Sequence, residues 1–169
     1  MTDTRLSLLL GFSCALTAIG LVALRPAGPS PVSPPTRSTV ADPLALAAEI
    51  LRRTDRFASV GVGFAGITSA QALAWRVIFQ SPAADSVFNS LLIDGTRPGQ
   101  LYGLAGLFLI DRPRYIHAAA QQRALGGEVA TQFGCVGSWQ PVSGILDQMD
   151  RGYWSREFLS GREPTVWPQ

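Results

Sequence analysis

The sequence predicts a mainly α-helical protein: a single N-terminal transmembrane helix, a proline-rich linker, then a small helical bundle or helical-hairpin domain with at most one short β-hairpin. Three observations lead there. Residues 6–24, LSLLLGFSCALTAIGLVAL, carry no charge. Six prolines fall between residues 25 and 43. Beyond them, apolar residues recur at three- and four-residue spacing between proline and glycine breaks, the period of an amphipathic helix.

As an α-helix rising about 1.5 Å per residue, residues 6–24 span roughly 28 Å, close to the ~30 Å hydrocarbon core of a bilayer. A secretory signal has a shorter apolar core of about 7–15 residues and small residues at its cleavage site. Here Val22-Ala23-Leu24 is a poor cleavage triplet. The expectation is a retained anchor over residues 1–24 in contact with the lipid bilayer; cleavage would instead release a secreted helical protein. Cys14 lies in the middle of the apolar run, whereas a lipid-modified cysteine would stand at its end. Positive charge is nearly balanced across the run, with Arg5 before it and Arg25 and Arg37 after it. The short flank with its early arginine resembles a signal-anchor. It places the chain in the inner (plasma) membrane as a single-pass protein with the domain on the extracytoplasmic, periplasmic side.

Residues 25–42 read as a linker. Proline favours an extended spacer, and at about 3 Å per residue this one reaches roughly 50 Å from the membrane. The domain is residues 43–169. Of the 14 Arg and 12 acidic residues in the chain, Arg5, Arg25, Arg37 and Asp3 precede position 42, leaving 11 of each sign from there on. Nucleic-acid binding needs a concentrated positive patch. The arginines are scattered, so nucleic acid is not an expected partner. With Cys14 in the apolar run and Cys135 in the domain, an internal disulfide is not expected either.

The domain opens with Asp42-Pro43, a cap followed by proline at the first helical position. Leu44, Ala47, Ala48, Leu51, Thr54 and Phe57 follow at helical spacing. Thr68-Ser69-Ala70-Gln71 fits a capping box, opening a helix that buries Leu73, Val77 and Ile78 and stops before Pro82. A third helix carries Val87, Phe88, Leu91 and Leu92 and ends at Asp94-Gly95. A fourth, from Pro98 to Ile110, is apolar nearly all round and should be the central, most buried one. Its small residues Gly99, Gly103 and Gly106 suit close helix approach. Asp111-Arg112-Pro113 opens a fifth, closed by Gly126-Gly127. Residues 128–136 alternate in the manner of a strand, with residues 59–64 the one available partner. Pro141 to Asp150 reads as the last full helix, with Val142, Ile145, Leu146 and Met149 inward.

Over residues 69–125 the pattern is helix, Ser-Pro break, helix, then helix, Arg-Pro break, helix, with Pro82 and Pro113 31 residues apart. It resembles the helical-hairpin pairs of HEAT and armadillo repeats, which implies antiparallel hairpins stacked side by side. A plain helical bundle describes the same pattern equally well.

Few residues suggest chemistry. Gly61-Val62-Gly63-Phe64-Ala65-Gly66 matches the spacing of a dinucleotide-binding loop, in which glycines let a pyrophosphate approach a helix N-terminus. The segment before it reads as helix with only Ala58 to Val60 extended, so a flexible connection is the favoured reading. His117 is the single histidine, and with Cys135 it cannot supply an ordinary metal-ligand set. No metal, cofactor or catalytic residue is expected. A thiol nucleophile at Cys135 would need His117 beside it as base. The aromatic tail, Tyr153, Trp154, Phe158 and Trp167, is the candidate partner-binding surface, because Tyr and Trp are enriched at interfaces. The alternative is that these rings fold back on their own core. The expectation for function is therefore a membrane-tethered, non-enzymatic interaction module, an accessory or scaffolding subunit that binds a protein partner in a membrane complex. The alternative is a small enzyme or ligand-binding domain built on the Gly61–Gly66 loop, Cys135 and His117. Convergence of those three within about 10 Å would favour it, since catalytic groups must meet at hydrogen-bond range.

Overall fold

Four helices of this domain begin where a side chain caps them. In the computed structural model, which describes residues 42–160, Asp42 accepts a bond from the Leu44 N–H (3.0 Å) and opens α1, Pro43–Arg52. Ser69 accepts from Ala72 (3.1 Å) at the start of α2, Ala70–Phe79, which is followed by α3, Ala84–Asp94. Thr96 accepts from Gly99 (3.3 Å) at α4, Arg97–Ile110, and Asp111 from Arg114 (3.0 Å) at α5, Arg112–Leu125. Each side chain satisfies an amide that has no partner inside its own helix. Proline stands in the first turn of α1, α4 and α5, where its missing N–H costs nothing. Gly126 (φ 60°) and Gly127 (φ 85°) then turn the chain out of α5 in a conformation open chiefly to glycine. Two shorter helices close the domain, α6 (Val142–Asp150) and α7 (Tyr153–Leu159).

The described residues are mainly helical, with a small four-stranded sheet. That sheet corrects the expectation of at most one β-hairpin. Strands β1 (Phe57–Val62) and β2 (Ile67–Thr68) form one antiparallel hairpin, and β3 (Glu128–Gly134) and β4 (Val136–Pro141) form a second. A parallel β1–β3 pair joins them in the order β2-β1-β3-β4. The expected pairing of residues 59–64 with 128–136 is thus present, in a larger sheet. The extra strands left little mark in the sequence. β2 is two residues long, and β4 (VGSWQP) is exposed along nearly its whole length, so neither alternates apolar with polar.

Two boundaries also differ. The helical run toward Phe57 stops at Arg52; Thr54 is buried, its hydroxyl donating to the Arg56 carbonyl (3.0 Å), and Phe57 enters the core from a strand instead. The cap of α2 is Ser69, while Thr68 belongs to β2. The expected anchor (residues 1–24), the linker up to residue 41, and Trp167 lie outside the described residues. Among the described residues, no helix is long and apolar enough to cross a membrane.

The core is built around α4, in which every residue from Leu101 to Leu107 is buried. Its glycines admit neighbours where side chains would not fit. A Cβ on Gly103 would sit 2.8 Å from the Phe88 carbonyl oxygen, and one on Gly106 would clash with the Phe88 ring. So α3 packs directly on the backbone of α4, whereas α2 leans mainly on α1. The helical pairs are therefore α1–α2 and α3–α4, out of step with the α2–α3 and α4–α5 hairpins that the repeat pattern implied.

An aromatic cluster links helices to sheet. Phe57 of β1 meets Trp154 at 4.5 Å and Tyr102 at 4.7 Å between ring centroids, and Phe158 stacks on Trp75 at 5.1 Å. Because β2 covers only Gly61 and Val62, the outward side of β1 from Phe57 to Val60 has no strand beside it. Side chains and one amide fill the gap. The Tyr102 hydroxyl accepts from Ala58 N–H (2.8 Å) and donates to Ala58 C=O (3.3 Å). Val60 C=O accepts from Ser69 N–H (2.8 Å), and Val60 N–H donates to Glu157 (3.4 Å). Each buried backbone group on that edge has a partner, as it must to avoid the cost of an unmade bond.

Candidate functional site

The parallel β1–β3 pair points both hairpin turns the same way, and they meet at one end of the sheet. At the β1–β2 turn, Gly63 (φ 71°) and Gly66 (φ 60°) hold left-handed conformations, and Gly66 N–H donates to Gly63 C=O (3.2 Å). The β3–β4 turn is the pair Gly134-Cys135 between Phe133 and Val136, with Gly134 at φ 56°. Gly63 N–H donates to Gly134 C=O (2.9 Å), binding turn to turn. Ser59 backs the junction, its hydroxyl donating to Gly61 C=O (2.8 Å) and accepting from Gly134 N–H (3.4 Å). The Ser69 hydroxyl donates to Ser59 C=O (3.0 Å), tying the junction to the first turn of α2.

The structure therefore brings the glycine loop and Cys135 together. It places His117 elsewhere: exposed on α5, its ring nitrogen meeting the side-chain nitrogen of Gln121, one helical turn on, at 3.1 Å. Cys135 is an exposed free thiol. The glycines shape a hairpin turn, with β2 standing between them and α2, where the Ala72 amide of the first turn is already taken by Ser69. That differs from a dinucleotide loop, where the glycines lead straight into the helix. Among the described residues, no group of three or more His, Cys, Asp or Glu side chains is placed to hold a metal ion.

Of the four tail aromatics, Trp154 and Phe158 are fully buried. Trp154 donates to Gln148 (3.1 Å) and packs on Phe133, 5.3 Å away. These two rings complete the core and are not available to a partner, a correction to the expectation that the tail presents them. The cause is the aromatic cluster: Phe57, Trp75 and Tyr102 already form a surface onto which α7 closes. Tyr153 remains 43% exposed.

What the sequence did not single out is the apolar dressing of the two-turn end. Phe64 is fully exposed at 102% relative exposure, and Ile67 at 68% and Val136 at 65% stand on the strands that flank the two turns. Trp139, further along the free edge strand β4, is 70% exposed. The one available signal was a phenylalanine inside a glycine turn, where a core residue is out of place. Beside the turn lies a mostly polar cleft of about 420 Å³, lined by Phe64, Thr68, Glu157 and Ser160 among others. A second, apolar groove of about 240 Å³ runs between α1 and α2, lined by Pro43, Leu46, Ile50, Ala70, Leu73 and Val77 among others.

One ionic network stands apart from the turns. Arg123 bridges Asp147 (3.0 Å) and Asp150 (2.6 Å), and the Tyr115 hydroxyl donates to Asp150 (2.8 Å). Burial raises the Tyr115 phenol above its ordinary range, and the Asp150 carboxylate raises it further. Burial would also raise Asp150, but the bonds from Tyr115 and Arg123 outweigh it and hold the carboxyl below its usual value. Arg112 lies over the Phe108 ring at 3.9 Å, closing the side of Tyr115. The network ties α5 to α6 and is structural in its geometry.

Comparison of the chain with models of protein families, with curated proteins and with solved structures finds no match.

Proposed function

We propose that this chain is a non-enzymatic interaction module, tethered to a membrane through residues 6–24, that binds a protein partner within a membrane complex. The observation that carries the reading is the apolar, exposed end of the sheet: Phe64, Ile67 and Val136 displayed on and beside two turns that are hydrogen-bonded to each other. Large exposed apolar groups held on a rigid frame act as anchors for a partner, because their position costs little entropy on binding. The free edge of β4 extends the same surface. It has no charged residue, and an edge without charge is open to strand addition. The separation of His117 from Cys135 weighs against the enzyme reading, and the uncharged composition of the turns fits a protein surface better than an ionic ligand. The partner surface then belongs to the sheet end, with Tyr153 at its periphery in place of the buried Trp154 and Phe158.

The test is affinity capture of the full-length chain from membranes extracted in mild detergent, beside a Phe64→Asp/Val136→Asp variant. The expected outcome is stoichiometric recovery of one membrane protein with the natural chain and its loss with the variant. Recovery of a lone monomer from both, or of the same partner from both, refutes the assignment. The chain's sedimentation with carbonate-washed membranes checks the tether separately.

A further inference from the structure

The backbone of β4 faces two ways. Val142 N–H donates to Gly127 C=O (3.0 Å) at one end of the β3–β4 hairpin, and Phe133 and Val136 close its two-residue turn at the other. In an antiparallel ladder every second pair is hydrogen-bonded, so Val136, Ser138 and Gln140 bond to β3. Gly137, Trp139 and Pro141 belong to the alternate set, whose backbone groups point away from β3. Among the described residues no strand lies beyond β4. The amides and carbonyls of Gly137 and Trp139 therefore line an open edge, which ends at Pro141 for want of an N–H. No charged residue stands on β4 to keep another strand away.

The side chains of that edge are just as uneven. Trp139 is 70% exposed, on the side of the sheet opposite the buried Val129 and Thr131. Gly137 lies two residues away on the same side. Nothing among the described residues requires glycine there. Its backbone is outside the left-handed region, and an added Cβ would meet only the Thr131 carbonyl oxygen, at an ordinary 3.8 Å. Glycine weakens a strand, and inside one it often marks a place where another group comes close. The fold itself leaves the space over Gly137 empty.

We propose that two copies of this chain pair antiparallel through β4, about a two-fold axis at Ser138, joining their sheets into one. In that register Gly137 faces Trp139 of the second copy, and Trp139 faces its Gly137. The outward amides and carbonyls of both residues find partners, and each indole lies across the other copy's glycine. An aromatic laid over an edge glycine on the neighbouring strand compensates for that glycine's weak pairing. Slipping the register by two residues loses the match. One direction sets Gly137 against Pro141, which has no proton to donate, and the other carries Trp139 onto the turn at Cys135. A second copy fits better than a foreign strand because the bulk that fills the Gly137 gap sits on the same edge, at the spacing a self-complementary contact needs. Two indoles bury about 150 Å² each. With the paired backbone the contact stays below the ~1,200 Å² of a standard interface, so the dimer is weak and forms at high local concentration. It goes beyond the partner surface at Phe64 and stands whether or not that surface binds a protein.

The experiment uses the full-length chain in mild detergent with Cys14→Ser and Cys135→Ser. The two-fold axis sets the two Cα atoms at position 138 about 4.5 Å apart, within disulfide range. Ser138→Cys should therefore oxidise to a dimer. Val136→Cys alone and Gln140→Cys alone should not, since each lies roughly 14 Å from its own copy, yet a mixture of the two should cross-link. This dependence on register separates β4 from any contact made elsewhere in the chain. Adding Gly137→Val or Trp139→Ala to Ser138→Cys should lower the dimer yield roughly tenfold, through loss of the indole contact. Diluted to monomer, Gly137→Val should unfold in urea at the natural midpoint or above it, because valine favours strands. Phe64→Asp should leave the yield unchanged. A Ser138→Cys chain that stays monomeric overturns the inference, as do equal yields from Ser138→Cys and Val136→Cys or an unchanged yield with Gly137→Val. A lower midpoint for Gly137→Val overturns it too, because the glycine would then serve the fold. Loss of the dimer in Phe64→Asp moves the contact to the turns and overturns it as well.

Discussion

Tyr102→Phe isolates the device that seals the open edge of β1. The ring is fully buried and Ala58 is 1% exposed, so the substitution preserves shape and admits no water. It deletes one oxygen that both accepts from Ala58 N–H at 2.8 Å and donates to Ala58 C=O at 3.3 Å. The short bond matters more, because an amide has a single proton and no alternative acceptor lies on that side. Leaving a buried donor unsatisfied costs about 1–3 kcal/mol, and the long second bond adds a fraction of that. The expected loss is about 2 kcal/mol, several degrees of Tm for a domain of this size. Equilibrium urea unfolding measures it, and the slope m should stay unchanged because the surface exposed on unfolding is the same. Amide exchange at Ala58 should accelerate more than that of its β1 neighbours. Tyr115→Phe is the matched control: its hydroxyl serves Asp150, which Arg123 still pairs, so the cost should stay below about 1 kcal/mol. Equal losses in the two variants, or a loss under about 0.5 kcal/mol in Tyr102→Phe, would refute the claim that β1 depends on this hydroxyl.

Gly106→Ala forces a methyl group into the buried Phe88 ring, and overpacking of this kind costs about 1–3 kcal/mol, read in the same unfolding assay. Gly144→Ala, which meets only the Pro141 ring at 3.6 Å, should be neutral or slightly stabilising. The depressed Asp150 carboxyl makes stability depend on acid: its contribution is complete above the unfolded carboxylate value near 4 and is lost as pH falls through the lower folded value. Asp150→Asn should therefore flatten the stability profile between roughly pH 4 and 2, followed by chemical unfolding at each pH. At this half-exposed site the difference should be below about 1 kcal/mol.

Elements that make their own local bargains could be read from the chain. Asp42-Pro43, Asp111 with Pro113, and Gly126-Gly127 mark helix ends through their own backbone chemistry, and the structure honours each. The apolar run of α4 is the central helix, and all four inward residues of α6 are buried. Elements that depend on distant partners could not be read. β4 is a strand because β3 lies beside it, and β2 because β1 does. Phe57 carries on a helical period by accident while its ring packs on aromatic rings from two other elements, α4 and α7. The tail aromatics gave the same ambiguity: Trp154 and Phe158 have the composition of an interface and the burial of a core. The two-turn end was legible only in part, since Gly61–Gly66 announces a turn without saying that Gly134 will lie against it.

The parallel pairing at the centre of the sheet has a temporal consequence. Ser59 and Gly134 touch at a sequence separation of 75 residues, and four helices make up most of the chain between them. A nascent polypeptide leaving the ribosome can coil those helices early, yet it cannot zip its middle strands until the second hairpin has emerged. Through that interval Phe57 has no neighbour on one flank, and the greasy half-formed cluster stands open to solvent. The domain should consequently mature in a single late step, and a chain cut short anywhere before Pro141 should yield a sticky intermediate rather than a smaller working part.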